Sequence, residues 1–142
     1  MTENRKITTV LGFDFGTKRI GIATGQTITN TASPTVTLNQ VNGAPDWNGI
    51  KKLVGQWKPQ ALIVGIPYHL DGKESEMTEI VQNFCDELTN RFPIPLFKVN
   101  ETLSSYEAEE KLKKNMKLGQ HNKQEIDKMA AAIILQSWLD QQ

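Results

Sequence analysis

The chain has 142 residues, 38% of them hydrophobic, which suits one domain with a buried core and excludes a disordered chain or a membrane span. Lysine and arginine together number 16 and the acids also number 16, so net charge alone argues against a strong nucleic-acid binder. The single cysteine, Cys85, excludes an internal disulfide and a Cys-based zinc centre, and His69 and His121 are too few for most histidine-rich metal sites.

The polar start MTENRK is unlike a signal peptide, so a soluble intracellular protein without a membrane partner is expected. Charge is unevenly spread. Residues 71–87 are acidic, whereas 111–128 carry Lys111, Lys113, Lys114, Lys117, Lys123 and Lys128. That basic stretch either attracts phosphates or is a solvated helix surface.

Residues 7–25, ITTVLGFDFGTKRIGIATG, predict a strand, a glycine-rich turn and a second strand. Asp14 lies inside the first of these, with Gly12 and Gly16 on either side. A carboxylate in an apolar strand is costly without a partner or a metal, although an acid at a strand end also serves as a turn former. The tripeptide Asp14-Phe15-Gly16 matches a kinase signature, but the chain is too short for a kinase and lacks the companion motifs.

A third strand is expected over 31–38, with Pro34 marking an edge or a bulge. Asp46 caps a helix striped with Trp47, Ile50, Leu53, Val54 and Trp57, which Lys58-Pro59 ends. Residues 61–66, ALIVGI, form the continuous apolar run of a parallel strand covered on both faces. The loop 67–73 follows, with Asp71-Gly72 as turn chemistry and His69 as a solvated side chain. A second helix carries Met77, Ile80, Val81, Phe84 and Leu88, with Cys85 on its apolar side as a buried, inert thiol. The fifth strand is expected over 94–99. Ser104 and Glu107 have capping-box spacing and open a helix that fades at Gly119; Asn122 with Glu125 opens the last one. Three strands followed by alternating helices and strands make an α/β protein with a mixed five-stranded sheet and helices on its faces.

Three acids come from distant places: Asp14 in the first strand, Glu101 after the fifth, and Asp127 in the last helix. Ala130, Ala131 and Ile134 follow Asp127 at helical spacing, and small residues there would let the helix lie close to the sheet. Converging carboxylates repel, and Mg²⁺ or Mn²⁺ with oxygen ligands removes that penalty. Two such ions about 4 Å apart would activate water and stabilise the leaving oxygen in phosphodiester hydrolysis.

GFDFGTKRIGIA, VGIPYHLDGKES and EIDKMAAAIILQSWL together resemble the YqgF/RuvX family, the Holliday-junction-resolvase-like proteins of bacteria. The resemblance spans essentially the whole chain and implies a single RNase H-like domain over 1–142. It also implies a nuclease for structured nucleic acid, associated with maturation of the 5′ end of pre-16S ribosomal RNA, or alternatively with junction resolution. Asp14, Glu101 and Asp127 would then be the catalytic, metal-holding acids. Lys18, Arg19, Lys113, Lys114 and Lys117 are expected to meet phosphates, and pre-rRNA, branched DNA and the ribosome are the expected partners. Where the family commonly has Asp-Glu-Arg after the fifth strand, this chain has Asn100-Glu101-Thr102, so a phosphate contact or ion pair is altered. Two competing readings are an RNA- or ribosome-binding module that has lost turnover, and an ATP-binding relative of sugar kinases. The second lacks the further half-domain needed to close over ATP.

Overall fold

In the computed structural model, residues 8–68, 73–101 and 123–142 are described. Among them the strands are β1 (Thr9–Phe15), β2 (Arg19–Gln26), β3 (Thr31–Asn39), β4 (Ala61–Ile66) and β5 (Leu96–Asn100), and the helices are α1 (Trp47–Trp57), α2 (Glu76–Arg91) and α3 (Lys123–Asp140). The sheet order is β3-β2-β1-β4-β5, with β1 at the centre. β1 runs antiparallel to β2 and parallel to β4, and β4 runs parallel to β5. The mixed five-stranded sheet expected from sequence is therefore present. The helix expected over 104–119, His69, the Asp71-Gly72 turn and Asn122 lie outside the described residues.

Alternation along each strand sorts the core into two layers. Leu11, Phe13, Ile20, Ile22, Leu62 and Val64 face Ile50 of α1 and Val81, Phe84 and Leu88 of α2. Val10, Ala23, Ala61, Ile63 and Val99 point the other way, against Ala131, Ile134, Leu135 and Trp138 of α3. β4 is buried along its whole length because it faces a helical layer on each side. Cys85 belongs to the first layer, where burial pushes its thiol up to about 11 and leaves it unreactive.

Local chemistry fixes the ends of these elements. Asp46 caps α1 by accepting from the Gly49 amide at 3.0 Å, and Lys58 ends it in a left-handed conformation before Pro59. Ser75 and Thr78 form a reciprocal capping box at the start of α2, and the Thr78 hydroxyl also donates to the Pro67 carbonyl. That bond ties the helix to the chain leaving β4. β3 is an edge strand, and its pairing shifts opposite Ile22/Ala23, where Pro34 cannot donate. The Thr35 hydroxyl accepts the Thr24 amide there at 3.1 Å. β5 begins at Leu96 rather than at residue 94, because Pro93 and Pro95 have no amide hydrogen to give the sheet.

Candidate active site

The face of the sheet covered by α3 carries the acids. Asp14 shares the parity of Val10 in β1, and Glu101 shares the parity of Val99 in β5, so both side chains rise towards α3. Each stands at the C-terminal end of a parallel strand, which is where open α/β sheets usually bind ligands. The Glu101 amide donates to the Ile66 carbonyl at 3.1 Å, extending the β4–β5 pairing by one residue and fixing where the Glu101 side chain begins.

Two glycines let α3 come close enough to contribute the third acid. Gly21 pairs with Asp14 across β1 and β2. A Cβ at Gly21 would run into the Asp127 carbonyl group, so only a residue without a side chain fits beneath α3 at this point. At Gly65 a Cβ would meet Ile134 Cδ1 at 2.5 Å and Glu101 Cγ at 2.9 Å. The Glu101 side chain therefore lies across β4, towards β1.

The Asp14 carboxyl is held well above its ordinary value of 3.8. Burial is the main cause, followed by the charges of Glu101 and Asp127 and a side-chain hydrogen bond with Glu101. As charged groups at close range Asp14 and Glu101 repel, which favours the protonated form of Asp14. Asp127 lies close enough to add to that repulsion, but its own carboxylate is engaged. Arg19 Nε donates to Asp127 Oδ2 at 2.7 Å. Among the described residues no three metal-ligating side chains are gathered into a ready-made cage.

The donor set itself suits a hard divalent cation, because every candidate ligand is a carboxylate oxygen. A dication would also relieve the repulsion among the carboxylates that raises Asp14. Sequence places Asp14, Glu101 and Asp127 together, and the structure puts all three on one face. It also supplies a cation partner for Asp127 that the sequence reading lacks. Lys18 is exposed in the β1–β2 turn, whereas Arg19 is turned inward onto Asp127. Lys113, Lys114, Lys117 and Thr102 lie outside the described residues.

Gln40 is a contributor that sequence reasoning missed. Its side-chain amide donates to the Gly16 carbonyl at 2.8 Å, and its backbone amide donates to the Lys18 carbonyl at 2.9 Å. The turn between Asp14 and Arg19 is thus braced from the end of β3. No local pattern signals this, because the partner is 24 residues away.

The family model described as RuvX, Holliday junction resolvase, matches residues 8–141. The chain belongs to this family. A relative from Pseudomonas fluorescens (strain Pf0-1), curated as "Putative pre-16S rRNA nuclease", is 43% identical over 133 residues, covering 93% of this chain and 92% of its own. One of the same name from Legionella pneumophila (strain Paris) is 47% identical, covering 92% of this chain and 94% of its own. RuvC of Thermus thermophilus in complex with a Holliday junction matches with a TM-score of 0.52 at 11% identity, over 93% of each chain. The fowlpox virus Holliday junction resolvase matches with a TM-score of 0.54 at 14% identity, over 94% of this chain and 99% of its own. At such identities these structures establish the fold, which is RNase H-like. No described helix of the RuvX-family chain is long and apolar enough to cross a membrane.

Proposed function

We propose that the chain is a metal-dependent nuclease that hydrolyses phosphodiester bonds in structured nucleic acid, and that its reaction is 5′-end processing of pre-16S ribosomal RNA. The observation that carries this reading is the crowding of Asp14 and Glu101 at the C-terminal ends of parallel strands, with Asp127 brought beside them over Gly21. The choice of RNA follows the curated names of relatives that align over more than nine-tenths of the chain. Asp14, Glu101 and Asp127 would hold Mg²⁺ or Mn²⁺, which when bound activates a water and offsets charge on the leaving oxygen. The chain's own residues position this chemistry. β1 and β5 fix two of the carboxylates, the N-terminal half of α3 fixes the third, and the covered sheet beneath them keeps bulk water away from one side. Lys18 in its exposed turn, together with Lys113, Lys114 and Lys117, would meet the phosphate backbone. Such an enzyme works in the cytoplasm, on or near the ribosome.

The family description favours a second substrate, the four-way DNA junction. Cleavage of a pre-16S RNA fragment and of a four-way junction, each with Mg²⁺, with Mn²⁺ and with chelator, tests both. RNA cleavage that needs metal is the expected result. Cleavage that persists in chelator would remove the metal, and cleavage of the junction alone would reassign the substrate.

A further inference from the structure

The pairing of Arg19 with Asp127 has a property that ordinary surface ion pairs lack: both backbones are fixed. The Arg19 carbonyl accepts the Gly16 amide at 2.8 Å, and Gln40 grips the same turn at the Gly16 and Lys18 carbonyls. On the other side, the Asp127 backbone rests directly on Gly21. Any change at this contact must therefore come from side chains. Aspartate is short and tied to α3 where the helix rests on Gly21, whereas arginine is long, and the Arg19 side chain is 24% exposed. Arg19 is the partner free to leave.

We infer that Arg19 is a gate on Asp127: its guanidinium holds the carboxylate in the free protein and passes to a backbone phosphate of the nucleic acid when a divalent cation takes Asp127. This rests on the metal-dependent reading above and adds to it a coupling between metal and substrate. The guanidinium and a dication compete for the same oxygen, and two cations held within a few ångströms repel. A phosphate offers the planar guanidinium an equivalent two-oxygen partner, so departure from Asp127 costs little once nucleic acid is present. Metal and nucleic acid then each tighten the binding of the other, as reciprocity requires. Arg19 also spares the free protein an unneutralised third acid beside Asp14 and Glu101. It is a positioning residue for Asp127.

The test is calorimetric titration of Mn²⁺, without nucleic acid, into the wild-type chain, Arg19→Met and Asp127→Asn. Arg19→Met is expected to bind Mn²⁺ about tenfold more tightly than wild type, within the usual range of coupling between sites. Asp127→Asn is expected to lose that binding. In parallel, the Nε–H resonance of Arg19 is followed by NMR as Mg²⁺ is added to the wild type, with Arg19→Lys used to assign it. The signal is expected to shift and exchange faster with water as the bond to Asp127 breaks. If Mn²⁺ binding depends on Asp127 but is unchanged or weaker in Arg19→Met, Arg19 only braces the site, and the gate is overturned while the metal reading stands. If wild type shows no Asp127-dependent binding of Mn²⁺, both fall. Should Arg19→Met fail to fold, the wild-type resonance decides alone, and a signal unmoved at saturating Mg²⁺ overturns the gate.

Discussion

Asp14 is the residue at which stability and the proposed chemistry oppose each other. Its carboxyl is raised above the ordinary 3.8, so between that value and the raised one the folded chain keeps a proton that the unfolded chain has released. The contribution to stability is therefore full below pH 3.8 and is lost as pH rises through the raised value. Asp14→Asn removes the titration and keeps the shape. In chelator it should melt no lower than wild type, and its advantage should widen with rising pH. Wild type should gain stability on addition of Mg²⁺ or Mn²⁺ by mass action, the variant should gain much less, and cleavage should vanish. Thermal melts across pH, with and without metal, check this. A variant destabilised by about 1–3 kcal/mol that still responds fully to metal would instead make Asp14 a structural acid. Asp14 stands out in the sequence as a carboxylate inside an apolar strand, a pattern that a turn acid shares, whereas Glu101 and Asp127 stand in no such pattern. The partner of Asp127 was not legible there, because Arg19 is 108 residues distant and a cation in a turn looks like any solvated side chain.

At the scale of elements, the decisive contact is α3 on the sheet. Ala130 and Ala131 in the helix announced a close approach, and both are fully buried. The matching half of the contact was harder to see. Gly21 and Gly65 sit in apolar runs where a glycine looks like a weak strand former, and only the packed helix reveals what each makes room for. Gly21→Ala tests the match. Its new Cβ would meet the Asp127 backbone rather than a flexible side-chain tip, so that turn of α3 must lift away. A loss of about 1–3 kcal/mol in urea unfolding is expected, by analogy with overpacked cores. Mn²⁺ affinity should fall with it, since Asp127 moves with that turn. An alanine variant of wild-type stability and metal affinity would show that the helix adjusts freely. The strand ends were less legible than the strands, as β5 shows, because paired prolines delay a ladder without changing the apolar pattern.

For the whole molecule, a formal charge of zero conceals a division of labour. The acids that would hold metal lie over β1, β4 and β5, and the lysines of 111–128 follow β5 in the chain. Replacing Lys113, Lys114 and Lys117 together with alanine should weaken RNA binding and flatten its dependence on salt. The expected change is roughly 0.7–0.9 of a log unit in slope for each lost contact. Filter binding at several salt concentrations measures it, and an unchanged slope would mark these lysines as solvated surface.

Chain order also gives the two sides of the sheet different histories. β1 to β5, α1 and α2 all precede α3, so during synthesis one side can be covered while the other still waits for its helix. Among the described residues, the helix that covers Val10, Ala61 and Ile63 is α3, and that contact joins the first strand to a segment more than a hundred residues later. Asp127 arrives with that same helix. A nascent chain thus holds two of its three acids and lacks the third until α3 emerges and docks. This timing separates the making of the chain from the completion of its site.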